Sequence, residues 1–247
     1  MGTLSASIRE SLQPIPRDGP FAALERFATL TSYRPGESIY RCNDSIEYWY
    51  RISGGAARAS ALSGDGRRHI VDFVFPGDLF GFGVFAGRQL CVEAITADTL
   101  IARYPRHIAE SLADCDPQIA RAIREIAFDS IARLQRRMVM LGRNSALEKV
   151  SAFLLEMSDR SNACGPHVVC LPMSRYDIAD YLAMAVETVS RTLTELRSRH
   201  TIAFRSVRQI HICDRPALEE FAGSLGVRGR SESVDRLRSQ LQPEAPG

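Results

Sequence analysis

The stretch PMSRYDIADYLAMAVETVSRTLTELRSRH (residues 172–200) predicts two helices joined by a tight turn. Ser174 is a fitting N-cap for the first helix, with Asp177 three residues further on. An apolar face follows, and the turn falls at residues 183–185. Through the second helix, apolar residues recur at steps of three and four: Val186, Val189, Leu193 and Leu196. This arrangement is typical of a helix-turn-helix.

One residue departs from the usual pattern of that motif. Ala183 stands at a turn position that glycine usually fills, and a positive φ angle there would cost about 1 kcal/mol. An αα-hairpin packed inside an unrelated fold is the alternative interpretation. The small Ala179, which lets the second helix approach closely, and the N-cap at Ser174 favour the helix-turn-helix.

The outer face of the second helix carries polar residues suited to reading DNA. Glu187, Ser190 and Arg191 stand at i, i+3 and i+4, so they project together from its N-terminal half. Arginine can bond guanine O6 and N7, and glutamate can accept from cytosine N4. We therefore predict that these three residues read bases in the major groove of double-stranded DNA. The residues predicted to contact the DNA backbone are Ser174, Arg175, Thr188, Thr194, Arg197, Arg199, Arg205 and Arg208.

The segment IAFRSVRQIHICD (202–214) alternates apolar and polar residues and predicts a two-stranded wing. A short helix is expected from Ala217 to Leu225. We assign residues 143–226 to a winged helix-turn-helix domain, and we predict that the tail 227–247 is disordered.

The N-terminal half has a different sequence pattern, with short apolar runs instead of helical periodicity. Residues 1–20 are rich in proline and are expected to form a flexible leader, followed by a short helix after Pro20. From Thr31 to Tyr104, short apolar runs such as EYWYRISGG and RHIVDFVFPGD are separated by turn residues. This spacing predicts a β-barrel or sandwich in a domain of residues 21–115, and hence an α+β chain.

A long helix is predicted over residues 116–142, with Asp116-Pro117 marking its start. Its apolar residues alternate steps of three and four with one break, which favours a coiled-coil seam between two copies of the chain. Packing of this helix on its own barrel is the alternative, and the two can hold over different lengths of the helix. The residues predicted at the dimer interface are Ile123, Ile126, Ile131, Leu134, Met138 and Leu141.

Composition sets further bounds. The 247 residues carry a net charge of +2, so overall charge alone does not indicate a nucleic-acid partner. No apolar run is long enough to span a bilayer, so we expect no membrane partner and a cytoplasmic location. The six cysteines form no CxxC pair, so no metal site is predicted, and in a cytoplasmic chain we expect reduced thiols. The sequence contains no P-loop, G-x-S-x-G or H-E-x-x-H motif, which argues against an enzyme.

With these motifs in hand, the chain resembles the CRP/FNR superfamily of bacterial transcription regulators over about residues 21–225. FPGDLFG (75–81) is similar to a motif of the family's cyclic-nucleotide-binding-type barrel, and the long helix is similar to its dimer helix. The pattern Glu187-x-x-Ser190-Arg191 resembles that of the FNR and FixK branches. The resemblance implies a homodimer that reads TTGAT-N4-ATCAA-like palindromes, acts with RNA polymerase and controls genes for low-oxygen respiration and nitrogen fixation.

The resemblance also bears on the signal. No cysteine precedes Cys42, so the N-terminal ligands of an FNR-type iron–sulfur cluster are missing. Phe82 and Arg88-Gln89 replace the Glu and Arg-Ser of a cyclic-AMP site, which makes a nucleotide ligand the less favoured alternative. A FixK-like, cofactor-free regulator is expected. A redox-, haem- or nitric-oxide-responsive regulator of denitrification is the alternative, with Cys164 and Cys170 as candidate redox residues and His69 and His107 as candidate haem ligands.

Overall fold

The computed structural model describes residues 21–41, 47–64, 66–81, 90–143, 145–160, 165 and 167–223. The predicted leader, the tail and the residues Phe82, Arg88, Gln89 and Cys164 lie outside these ranges.

Short strands form the N-terminal domain, as the spacing of turn residues predicted. The short helix α1 (Ala22–Glu25) precedes them. The strands are β1 (Thr29–Tyr33), β2 (Ser38–Tyr40), β3 (Tyr48–Gly54), β4 (Ala57–Leu62), β5 (Arg68–Val74), β6 (Leu79–Phe80), β7 (Leu90–Ala94) and β8 (Thr99–Pro105). They form two antiparallel four-stranded sheets with the orders β1-β8-β3-β6 and β2-β7-β4-β5. The α+β fold with an N-terminal barrel-like domain is thus confirmed.

The turn between β3 and β4 shows why glycine is needed there. Gly55 has a φ angle of +78°, and a Cβ atom on it would lie 2.6 Å from Thr96 Oγ1 and 2.8 Å from Thr99 Cα. Any other residue would meet both the backbone strain and this close approach. Gly55 is therefore required at the point where the chain passes from one sheet to the other.

The C-terminal half is mainly helical. Two helices follow the barrel: α2 (Arg106–Cys115), which had not been predicted, and the long helix α3 (Pro117–Leu141). The remaining elements are α4 (Ala146–Arg160), β9 (Val168–Cys170), α5 (Arg175–Leu182), α6 (Val186–Ser198), β10 (Ile202–Ser206), β11 (Gln209–Ile212) and α7 (Arg215–Phe221). Asp116 caps α3 by accepting a hydrogen bond from the Gln118 amide, and Pro117 occupies the first turn, where proline costs no hydrogen bond.

The largest apolar cluster runs across both domains. It joins Ile70, Phe73 and Phe75 of the barrel to the buried faces of α4, α5 and α6. The ring centroid of Phe73 lies 5.2 Å from that of Tyr181 on α5 and 6.5 Å from that of Phe153 on α4. The two domains therefore share one core instead of meeting only at their surfaces.

Candidate nucleic-acid interface

The first helix of the predicted helix-turn-helix begins at a capping box. The Asp177 amide donates to Ser174 Oγ over 3.1 Å, and the Ser174 amide donates to Asp177 Oδ2 over 3.0 Å. Two backbone donors that a helix N-terminus would otherwise leave unpaired are thus satisfied. The N-cap predicted at Ser174 is confirmed.

The tight turn between α5 and α6 lies where the sequence placed it. Ala183 has φ 51° and ψ 56°, which is the left-handed region that favours glycine. The Met184 amide donates to the Ala179 carbonyl over 3.0 Å and so closes α5. This turn sets the angle at which α6 leaves α5.

Helix α6 buries one face and exposes the other. Val189, Thr192, Leu193 and Leu196 are buried, and the Thr192 hydroxyl donates to the Thr188 carbonyl over 2.8 Å. Opposite them, all three residues predicted to read bases are exposed: Glu187, Ser190 and Arg191. The structure therefore brings these three side chains together on one open face.

The residues predicted to contact the DNA backbone surround this face in different environments. Arg197 and Arg175 both lie over the ring of Phe204, with Cζ 5.6 and 5.7 Å from its centroid. Burial lowers the pKa of Arg175 from its ordinary value. Phe204 was not among the predicted site residues, yet it forms the platform that orients two of them. The alternation of the wing segment was the available signal, since it places Phe204 and Ile202 on one face.

Other residues predicted to contact the DNA backbone have partners within the protein. Arg199 is paired with Glu195 over 2.6 Å, and it lies 5.1 Å from the ring centroid of Phe221. The Thr194 hydroxyl donates to the Ser190 carbonyl, and the Ser174 hydroxyl donates to Asp177. Thr188 is half-buried. Contacts of these side chains with DNA remain predictions.

The wing has one strand more than predicted. β10 pairs with β11, and β9 pairs with the other edge of β11 through Gln209, Ile210 and His211. Arg205 and Arg208 flank the exposed tip at Val207, which is 84% exposed. The wing sheet thus carries two exposed arginines at its tip.

The predicted dimer helix divides into two parts. Ile123 and Ile126 pack against the barrel cluster of Trp49, Leu79 and Tyr104. Farther along α3, three of the predicted interface residues are largely exposed: Ile131 (51%), Leu134 (49%) and Met138 (73%). Leu141 is half-buried. The first part of the helix therefore fits packing on its own barrel, and the later, exposed part fits a seam between two copies of the chain.

The cysteines differ from expectation. Cys91 and Cys170 are each in a disulfide, so the expected reduced state is wrong for these two. Cys115 and Cys213 are free and exposed. Cys170 is the last residue of β9, which belongs to the sheet that carries the wing.

The two candidate haem ligands lie in unrelated places. His69 Nδ1 is 3.6 Å from Asp180 Oδ1. His107 lines a shallow groove with Glu47 and Glu110. Across the described ranges there is no cluster of three His, Cys, Asp or Glu side chains that could hold a metal ion. Nor does any helix in those ranges have the length and apolar character needed to cross a membrane.

Comparison with known proteins agrees with this geometry. A Crp-like helix-turn-helix domain matches residues 148–221, and a cyclic nucleotide-binding domain matches residues 30–114. The nitrogen fixation regulation protein FixK of Rhizobium meliloti (strain 1021) is 37% identical over 85% of this chain and 91% of its own length. The transcriptional activator protein FnrL of Cereibacter sphaeroides is 30% identical over 82% of this chain and 84% of its own.

A solved structure, that of FixK2 from Bradyrhizobium japonicum, is similar with a TM-score of 0.72 and 39% identity. The match covers 78% of this chain and 96% of that one. Barrel, long helix and helix-turn-helix occur in the order of these regulators, and no enzyme is among the relatives compared. The chain therefore belongs to the FixK-type branch of the CRP/FNR family of transcription regulators, with a helix-turn-helix as its DNA-binding domain.

Proposed function

We propose that the protein is a homodimeric regulator that reads TTGAT-N4-ATCAA-like palindromes and controls genes for low-oxygen respiration and nitrogen fixation. The observation that carries this proposal is the open face of α6, on which Glu187, Ser190 and Arg191 are all exposed. A recognition helix presents such N-terminal residues to base edges in the major groove. Arg191 suits a guanine, and Glu187, one turn away, suits a cytosine amino group.

The exposed part of α3 supports the homodimer. Phe128, Ile131, Leu134, Met138 and Val139 are between 46% and 73% exposed on this one helix. A concentration of large apolar side chains on a helix surface marks an interaction site, and its coiled-coil spacing suits a second copy of the same helix. A two-fold dimer also matches the symmetry of a palindromic site.

Similarity to relatives supports the proposed biological role. Proteins named as nitrogen fixation regulators share more than a third of their residues with this chain over most of its length. We place this chain in the same kind of role, without a bound cofactor and with RNA polymerase as its protein partner. Absorbance spectroscopy and metal analysis of protein purified without oxygen test the cofactor part, and a haem band or bound iron would contradict it.

The base-reading assignment is tested by selection from random duplexes followed by binding measurements. Wild-type protein should recover a TTGA-containing palindrome. Arg191→Ala should weaken binding to it by about 1–3 kcal/mol and relax the preference at the guanine position. Arg124→Ala, which removes an exposed arginine on α3, is the matched control and should bind as wild type does. Selection that returns no palindrome of this kind would refute the assignment.

The disulfide at Cys170 favours a second candidate function, a thiol-redox-responsive regulator. A bond that forms and breaks in β9 would alter the strand that supports β11 of the wing. DNA affinity should then differ between protein treated with dithiothreitol and protein treated with diamide, and Cys170→Ser should abolish the difference. Equal DNA affinities after the two treatments would rule out the redox-responsive function.

A further inference from the structure

The DNA-binding domain is joined to α3 by a short covalent connection. Helix α3 ends at Leu141 and α4 begins at Ala146. Domains joined by a short linker generally move relative to one another unless other contacts hold them. The contacts that α4 and α5 make with the barrel and with α3 therefore help to set how α6 is oriented relative to the dimer helix.

Arg137 on α3 contacts both the barrel and α5. One guanidinium nitrogen, Nη2, donates to the carbonyl of Ile70 over 2.5 Å and to that of Tyr181 over 3.3 Å. The other, Nη1, donates to the Val71 carbonyl. The guanidinium also lies 4.4 Å from the ring centroid of Tyr181. A single side chain thus ties the long helix, strand β5 and the end of α5 together.

Two carboxylates on α5 add direct ties to the barrel. Asp177 Oδ1 accepts from Arg58 Nη1 over 2.6 Å, and the other arm of Arg58 pairs with Glu93 over 2.7 Å. Asp180 Oδ2 accepts from the Ile70 amide over 2.9 Å. We call Arg58, Arg137, Asp177 and Asp180, with the groups they bind, the interdomain clasp. Since Asp177 also closes the capping box of α5, the clasp holds the helix at the turn where it begins.

The clasp surrounds an apolar seam that alone would not fix an angle. Phe73 of β5 packs on Tyr181 of α5, and apolar contacts of this kind are not directional. Hydrogen bonds from a planar guanidinium to backbone carbonyls are directional and leave few alternative geometries. The side chains of Arg58 and Asp177 are only 17% and 8% exposed, so water screens their pairing little.

The clasp also leaves the recognition surface uncovered. It engages α5 and the end of α3, while Glu187, Ser190 and Arg191 of α6 stay exposed. A contact that held the domain in an inactive position by occluding this surface would have buried them. The clasp therefore does not block the DNA-reading helix.

We propose that Arg58 and Arg137 are positioning residues for DNA binding. Through Asp177 and Tyr181 they fix α6 relative to α3, so that two copies of the chain present their recognition helices at a set separation. The proposal rests on the proposed dimeric function. It adds the residues that set the spacing between half-sites.

The test compares spacer lengths with full-length protein. Fluorescence anisotropy measures binding to labelled duplexes that carry the selected palindrome with its own spacer, with one base pair removed and with one added, and to a single half-site. Wild-type protein should prefer its own spacer by about tenfold, because half-sites must match the separation of the two helices. In Arg137→Gln this preference should fall below about threefold, while half-site affinity changes less than about twofold.

Controls separate this role from a general structural one. Arg121→Gln removes a 72% exposed arginine of the same helix and should keep the wild-type preference. Asp180→Ala removes the bond to the Ile70 amide from a half-exposed site, and it should reduce the preference even if Arg137→Gln fails to fold. Equal loss on every duplex, half-site included, would overturn the proposal, as would an unchanged preference in both variants. If wild-type protein itself shows no spacer preference, the dimeric reading of a palindrome is wrong, and the clasp proposal falls with it.

Discussion

Ala183 occupies a backbone conformation that disfavours its own side chain. With φ 51° and ψ 56° it ends α5 in the left-handed region, where a Cβ atom crowds the following carbonyl. Its side chain is exposed, so no buried contact offsets the strain. The position of the turn and this strain could both be predicted from sequence, because they depend only on local residues.

Replacing Ala183 with glycine should stabilise the protein. Ala183→Gly relieves the left-handed strain and should raise the free energy of unfolding by up to about 1 kcal/mol, less the added freedom of the unfolded chain. Urea denaturation measures the change. Ala122→Gly within α3 is the matched control, since a residue in a right-handed helix gains nothing from glycine and should lose up to about 1 kcal/mol. Ala183→Gly proving no more stable than wild type would contradict the strain argument.

Glu156 on α4 is a buried carboxylate with a pH-dependent effect on stability. Burial raises its pKa above the ordinary value of 4.5, against the attraction of Arg160. Its Oε2 accepts a hydrogen bond from the Tyr181 hydroxyl over 3.3 Å. Because the folded state holds the proton more tightly than the unfolded state, the contribution is complete below pH 4.5 and is lost as pH rises through the raised pKa.

The comparison of wild type with Glu156→Gln isolates this effect. The stability of wild type relative to the variant should be highest at acidic pH and should fall as the pH rises above 4.5. Urea denaturation at a series of pH values gives the difference, and Glu125→Gln on the exposed face of α3 is the control for removing a carboxylate. A difference that grows with rising pH would reverse the sign and show that Arg160 outweighs burial.

Helix α3 packs on the barrel along its first part and exposes apolar side chains along its later part. Ile119 is fully buried and Ile123 packs on the barrel, whereas Ile131, Leu134 and Met138 are exposed. The periodicity of the sequence could predict one continuous apolar stripe. It could not show where along the stripe the barrel ends, because that depends on contacts with residues distant in sequence, such as Trp49.

A charge in the exposed part of α3 should dissociate the dimer. Leu134→Glu places a carboxylate where two copies of the helix would meet, and burying an unpaired charge costs several kcal/mol. Sedimentation velocity should show a monomer that no longer binds the palindrome. Gln118→Glu adds the same charge to an exposed site near the start of the helix and should remain dimeric. Unchanged sedimentation of Leu134→Glu would remove this part of the helix from the interface.

The wing is expected to contribute to DNA affinity without contributing to sequence preference. Arg205, next to the exposed tip of the β10–β11 hairpin, is expected to bind a phosphate and not a base. Arg205→Ala should weaken binding to all sequences alike and should reduce the slope of log affinity against log salt by about one. Titrations at several salt concentrations measure this slope, and Arg124→Ala is the control for removing an arginine. A sequence-dependent loss would instead assign Arg205 to base reading.

The parts of the DNA-binding surface that depend on neighbouring residues could be predicted from the sequence. The parts formed by pairing of distant strands could not. The cap at Ser174 and the face of Glu187 and Arg191 follow from spacing within one segment. The pairing of β9 with β11 joins residues about forty positions apart, and the Arg58–Asp177 pair joins residues 119 positions apart. No periodicity identifies such partners, so the third wing strand and the clasp emerged only from the folded chain.

At the scale of the whole molecule, the shared core should make the two domains unfold together. Phe73 of the barrel is fully buried against Tyr181 and Phe153 of the DNA-binding half, so neither domain keeps its core intact when the other opens. The single tryptophan, Trp49, is buried in the barrel, whereas far-ultraviolet circular dichroism is dominated by the helices. These two probes therefore report on different halves of the chain.

In wild type, the two probes should give coincident urea transitions. Phe73→Ala should cost about 3–5 kcal/mol and should separate them, because it removes the ring that joins the two cores. Ile101→Ala creates a cavity inside the barrel, in a cluster that does not include the DNA-binding half, and should shift both transitions together. Separate transitions in wild type would mean that the shared core does not couple the two domains. Coincident transitions in Phe73→Ala would mean that this ring is not what couples them.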